Sequence, residues 1–118
     1  MAGRHARYAK GRGRKRAGEM NRLEAAYALE LDRQLKAGEI LMWKFESIKL
    51  RLADRTWYNP DFLVMTPDGE LQLHETKGFM EDDANVKLKV TAETFPLRLL
   101  LVRARAKKDG GGFIITEV

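Results

Sequence analysis

Tyr58-Asn59-Pro60-Asp61-Phe62-Leu63-Val64, followed across Pro67-Asp68-Gly69 by Leu71-Gln72-Leu73-His74-Glu75-Thr76-Lys77-Gly78, is the stretch around which the rest of this chain is organised. Phe62 to Met65 is apolar, and Pro-Asp-Gly has the residues of a tight turn: Pro presets φ and Gly accepts φ > 0. The two runs therefore read as a β-hairpin. Side chains of a strand alternate faces, so Glu75 and Lys77 share one face and Thr76 takes the other. Asp61 and Glu75 fall far from the hairpin tip on opposite strands, where their carboxylates can converge on one cation. An oxygen-rich pair of this kind suits Mg²⁺, with Mn²⁺ as a substitute, whereas Zn²⁺ asks for His or Cys. The bland alternatives are a same-face ion pair for Glu75 and Lys77 and a turn role for Asp61. Each is common alone, but all must hold together with the hairpin spacing.

The segment resembles the PD-(D/E)xK nuclease superfamily, with Pro60-Asp61 as the PD and Glu75-Thr76-Lys77 as the ExK. Within it, Asn59 to Leu63, Glu75 to Phe79 and the acidic run Glu81-Asp82-Asp83 look most like phage endonuclease I, a Holliday-junction resolvase, and its small phage relatives. The resemblance covers roughly residues 20 to 105 and is strongest in the hairpin. It implies an Mg²⁺-dependent endodeoxyribonuclease that is selective for branched DNA and acts as a homodimer. It also implies a restriction-endonuclease-like core and a site in which Asp61, Glu75 and the backbone carbonyl of Thr76 ligate the metal while Lys77 orients the attacking water. The alternatives are a restriction-like or recombination nuclease on duplex or single strands, or a non-catalytic nucleic-acid-binding module.

The other elements fit around this hairpin. Met20 to Leu35 reads as a helix with Gly38 as its C-terminal cap. Met20, Leu23, Tyr27, Leu31 and Leu35 make one apolar stripe, and Glu24 falls inside it. A carboxylate on a buried face needs a partner. A salt bridge and a metal ion serve equally on the residues alone; the resemblance, in which a catalytic Glu sits on this helix in a similar Leu-Glu context, makes Glu24 the third carboxylate. Glu30 and Glu19 are the fallback choices. Trp43 to Ala53 reads as a strand whose apolar parity switches near Glu46-Ser47, marking a bulge or bend. With the hairpin it gives a three-strand meander. Residues 80 to 95 read as a second helix closed by Pro96, an assignment resting partly on the resemblance because Val86, Leu88 and Val90 also alternate as in a strand. Leu97 to Val102 reads as a strand covered on both faces, Lys107 to Gly112 as a turn, and Phe113 to Val118 as a final edge strand. The expected class is α/β (α+β): a mixed sheet in α-β-β-β-α-β order with flanking helices.

Composition bounds these readings. The 118 residues form one domain, 19–118, behind a basic arm over residues 1–18. The net charge of +5 belongs to that arm: Arg4, Arg7, Lys10, Arg12, Arg14, Lys15 and Arg16 meet no acid there. The body carries the remaining 15 of 22 basic residues against 17 acids, a net −2. Such an arm lacks any periodicity to bury, and its natural use is neutralising DNA phosphates; RNA association and a solubility tail are the bland alternatives. Lys87 and Lys89 are further candidates for phosphate contact, a solvated face being the default. Cys is absent, which excludes thiolate sites and disulfides and points to an intracellular protein; the resemblance to phage enzymes implies the cytoplasm of a bacterial or phage-infected cell. No apolar run reaches the ~18 residues of a membrane span, and the basic opening residues lack the apolar segment of a secretory signal. His74 and His5 are the only histidines, so a His-based zinc site or general base is not expected. His74 reads as a surface or core-edge residue. Trp43, Trp57 and Tyr58 read as packing residues, with base stacking as the alternative.

Overall fold

The computed structural model of the chain describes residues 18–78 and 83–118. Arg4, Arg7, Lys10, Arg12, Arg14, Lys15 and Arg16 lie outside the described residues, as do Glu81 and Asp82.

Helix α1 spans Arg22–Lys36. Its start is a capping box: the Asn21 side chain accepts from the Glu24 backbone N–H at 2.7 Å, and Glu24 Oε1 accepts from the Asn21 N–H at 2.8 Å. It ends at Ala37, and Gly38 follows at φ +77°, the left-handed residue expected after a helix. The buried face carries Glu24, Ala25, Tyr27, Ala28 and Leu31, with Leu23 and Leu35 half-buried at its margins.

Strands β1 (Met42–Phe45), β4 (Phe62–Met65), β5 (Leu71–Thr76), β6 (Arg98–Ala104) and β7 (Phe113–Glu117) form one mixed sheet in the order β1-β4-β5-β6-β7. β1–β4, β4–β5 and β6–β7 are antiparallel, while β5 and β6 run parallel. A parallel pair needs a long return crossing, and helix α2 (Asp83–Thr94) lies within it. Pro96 follows shortly after α2, where it cannot extend the helix. The fold is thus mixed α+β, with a mixed sheet and two α-helices among the described residues.

The strand expected from Trp43 to Ala53 is two strands. Glu46 adopts φ +48°, and its N–H bonds the Asp61 carbonyl, which ends β1 and turns the chain out of the sheet. The continuation, β2 (Leu50–Ala53), pairs antiparallel with β3 (Thr56–Tyr58) in a separate two-stranded sheet. The parity switch marked the right place: of the bulge or bend expected there, the chain takes a bend at Glu46, which carries it out of the sheet. The meander is therefore β1, β4 and β5, with the β2–β3 hairpin set between its first two strands.

Strand alternation divides the core into two faces. Toward α1, Phe62 and Val64 pack with Trp43, Val102, Tyr27 and Leu31. Phe62 is the aromatic hub of this side, its ring edge-on to Tyr27 and Trp43 at centroid distances of 5.4 and 5.7 Å. Toward α2, Leu73, Leu99 and Leu101 pack with Leu88 and Tyr58, flanked by Leu50 and Leu52 of the small hairpin. The hairpin is thus amphipathic, seating Leu50, Leu52 and Tyr58 on the core and leaving Arg51 and Trp57 outside.

His74 corrects its expected place near the surface. Only 5 % exposed, it lies under α1, where Tyr27 Oη meets Nδ1 at 2.7 Å and Gln72 Oε1 meets Nε2 at 2.9 Å. Burial lowers its pKa to about 4, so the ring is neutral, with Tyr27 donating to Nδ1 and Nε2–H donating to Gln72. Tyr27→Phe leaves that nitrogen without its donor in the core. The expected loss in a urea titration is about 1–3 kcal/mol; an unchanged midpoint would show that the bond contributes nothing net.

Candidate active site

The hairpin register brings the two motif carboxylates together. Phe62 pairs with His74, so Asp61 and Glu75 follow as the next positions across β4 and β5. Pro60, wholly buried, anchors the backbone just before Asp61. The Asp61 N–H donates to Glu75 Oε1 at 3.3 Å, and Asp61 Oδ2 accepts from the Thr76 N–H and hydroxyl at 2.9 and 2.7 Å. Asp61, Thr76 and Lys77 are each less than a tenth exposed. The Lys77 N–H extends the parallel ladder by donating to the Val102 carbonyl, which fixes the residue after the last pair of β5 and β6.

The electrostatics of this cluster are those of carboxylates brought close together out of water, with the Lys77 charge acting against them at Glu75. Burial, then the neighbouring charge of Glu75 and that of Glu24, push Asp61 up to about 7 against the pull of its Thr76 hydrogen bonds. Glu75 is also raised, first by burial and then by Glu24, while its hydrogen bonds and the Lys77 charge act the other way. Three carboxylates from α1, β5 and the start of β4 thus feel one another, with Lys77 acting on Glu75 from the face the two share by parity.

Glu24 enters this cluster differently from its expected part. Among the described residues no three His, Cys, Asp or Glu side chains are grouped so as to hold one ion, so Glu24, Asp61 and Glu75 are not assembled as a three-carboxylate ligand set. The reason is local: Glu24 is the third residue of α1, and the capping box draws Oε1 back to the Asn21 N–H. Its charge reaches Asp61 and Glu75 nonetheless. The fallback Glu30 is committed elsewhere, to Arg33 at 2.9 Å and Gln34 at 2.9 Å.

Two substitutions separate these roles of Glu24. Glu24→Gln keeps a capping-box side chain but loses the charge, and is expected to keep the melting temperature within about 2 °C. Glu24→Ala loses both, costing about 1 kcal/mol at the helix start and more for the space left behind. Equal destabilisation by both variants would assign Glu24's stabilising effect to its charge and remove the capping argument.

Tyr58 is the site residue that sequence reading placed in the packing set. It is buried, and its hydroxyl donates to Glu75 Oε1 at 2.6 Å, while burial and Glu75 hold the phenol well above its ordinary pKa. Its only signal was position: the last residue of β3, three before Asp61. On the same side an open cleft of about 480 Å³ is lined by Lys49, Trp57, Tyr58, Asn59, Glu75 and Lys87. Lys87 Nζ donates to the Trp57 carbonyl at 3.0 Å, tying α2 to the β2–β3 hairpin, whereas Lys89 is exposed on α2. No helix among the described residues is long and apolar enough to cross a membrane.

Comparison of the chain with protein-family models, with curated proteins and with solved structures finds no match. The functional reading therefore stands on the residues and geometry above.

Proposed function

We propose that this chain is a metal-dependent DNA endonuclease with a restriction-endonuclease-like core, selective for branched DNA and working as a homodimer. The observation that carries the reading is buried Asp61 beside half-buried Glu75 on adjacent antiparallel strands, both pKa values raised, with Lys77 two residues beyond Glu75. Buried like charges are costly unless a cation joins them. Apart from the β2–β3 hairpin, the element order is α-β-β-β-α-β with β7 added at the edge, which is compatible with that core.

The residues fit Mg²⁺ or Mn²⁺ better than a cation that needs a full protein cage. Both carboxylates offer hard oxygens, and Mg²⁺ typically takes one or two carboxylates and keeps water and phosphate oxygens as its other ligands. Asp61, Glu75 and the Thr76 carbonyl would hold it. When bound, the ion supplies a water of lowered pKa and a charge to offset that developing on phosphate. Thr76 restrains the Asp61 carboxylate through Oδ2, and Tyr58 restrains Glu75 through Oε1, so both keep one orientation. The Lys77 ammonium would orient the attacking water and stabilise the developing negative charge in a setting largely shielded from solvent. Glu24 would act on that water, or on a second ion, through its charge. In-line attack of water on phosphorus with departure of the 3′-oxygen, as the resemblance implies, would leave 5′-phosphate and 3′-hydroxyl ends. One site per chain is compatible with a two-fold dimer that cuts two strands, and the arm of residues 1–18 supplies the salt-dependent hold on DNA.

The test is a cleavage assay on a four-way junction, a fork, a duplex and a single strand of shared sequence, with Mg²⁺ and with EDTA. Mg²⁺-dependent cleavage that favours the junction is the expected result. Cleavage that persists in EDTA, or binding without cleavage of any substrate, would overturn the proposal.

A further inference from the structure

Among the exposed large apolar side chains of the described residues, Trp57 is the aromatic one. It is 43 % exposed, on a hairpin whose other large apolar residues, Leu50, Leu52 and Tyr58, all turn to the core. Its surroundings are cationic. Lys49 Nζ stands 5.3 Å from the ring centroid, Arg51 is its cross-strand partner in the β2–β3 register, and Lys87 bonds its carbonyl. Trp57, Lys49 and Lys87 line the same cleft as Glu75 and Tyr58, so this cationic aromatic wall opens directly onto the carboxylate cluster. At about 480 Å³ the cleft falls within the ~300–1,000 Å³ typical of ligand sites.

We propose that this cleft binds one unpaired nucleotide of a DNA strand, beside the phosphate that the carboxylate cluster would hold. This rests on the nuclease reading above and adds the substrate feature it recognises: a base out of its stack. The Trp57 ring offers a π-face that any base can stack on, and Lys49, Arg51 and Lys87 supply the positive charge that tracks a backbone. A paired base is already stacked on both faces and gains nothing from Trp57, so the cleft favours forks, flaps and other branched DNA that exposes unpaired nucleotides. The β2–β3 hairpin, which leaves the main sheet at Glu46, is the element that places this platform over the site.

The chain has two tryptophans, and Trp43 is buried on the opposite face of the sheet, so quenching of tryptophan emission by a short oligothymidylate reports on Trp57. Titrations use the full chain with Ca²⁺ in place of Mg²⁺, which keeps the strand whole. Saturable, salt-sensitive quenching is expected, absent in Trp57→Phe, where only Trp43 remains. Trp57→Ala is expected to weaken oligothymidylate binding about tenfold, within the range for loss of one base–aromatic stack, and Lys49→Ala to weaken it less. Duplex DNA of the same length should quench little. Quenching that survives in Trp57→Phe, equal quenching by duplex, or unchanged affinity of Trp57→Ala would overturn the proposal. Quenching as expected from a protein that cuts no substrate would uphold this site while removing the nuclease reading.

Discussion

Asp61→Asn and Glu75→Gln are expected to lower cleavage at least ~10²-fold and, at the same time, to make the metal-free protein more stable. The two effects share a cause. The site holds carboxylates that repel one another in a setting largely shielded from water, which burdens the fold and, on the proposed reading, would serve a cation. Asn keeps an acceptor for the Thr76 N–H and hydroxyl, so the substitution removes charge with little loss of hydrogen bonding. The pH dependence follows from the direction of the shift. Asp61 is raised to about 7 from an ordinary value of 3.8, so between those values the folded protein keeps a proton that the unfolded chain has released. Its contribution to stability is present at low pH and lost as pH rises through about 7. The gain from Asp61→Asn should therefore be largest at pH 8, ~5–10 °C in melting temperature, and shrink toward pH 4. His74 titrates in the opposite sense, since its folded value of about 4 makes it destabilising as pH falls from 6.5. Both proteins contain it, so the difference between their melting curves removes it. A variant no more stable than the parent at pH 8 would mean that the carboxylates are not in conflict.

Mg²⁺ or Mn²⁺ at millimolar concentration is expected to raise the melting temperature of the parent chain and to leave Asp61→Asn and Glu75→Gln nearly unchanged. At a concentration one hundred times its dissociation constant a ligand specific to the folded state contributes about 2.7 kcal/mol, on the order of 10 °C or more for a domain of this size. The stabilisation should be greater at pH 8 than at pH 5, because the ion competes with protons for the same oxygens. EDTA should reverse it. An equal rise in the charge-removed variants would assign the effect to other acidic residues and separate Asp61 and Glu75 from metal binding, whatever the cleavage assay shows.

The parts of the fold that were legible beforehand are those governed by near neighbours in sequence. The Pro67-Asp68-Gly69 turn sets the hairpin, with the Thr66 N–H bonding the Glu70 carbonyl across its mouth. The apolar stripe of α1, the position of Glu24 within it and Gly38 beyond its end follow from helical period and backbone freedom. Leu99, Leu101 and Val102 show by their continuous apolar run that β6 is covered on both faces. The less legible parts depend on where the chain goes after leaving a local element. Glu46 belongs to an apparently continuous strand until its backbone turns to φ +48°, and nothing in the parity of Trp43 to Ala53 distinguishes a bulge from an exit. His74 has the parity of an outward residue in a hairpin taken alone, and becomes interior because α1 lays Tyr27 across it.

The residues themselves placed Asp61 and Glu75 far from the tip on opposite strands and Lys77 on the Glu75 face, by strand alternation and turn chemistry; the register that sets Asp61 opposite Glu75 is seen in the structure. Only the tertiary structure decided how strongly those carboxylates conflict, that Tyr58 restrains one of them, that the Glu24 charge reaches both, and that Trp57 stands exposed beside them. The physical reason is range. Period and turn chemistry act within a few residues, whereas burial, electrostatic coupling and cleft shape arise where segments far apart in sequence exclude water from the same space.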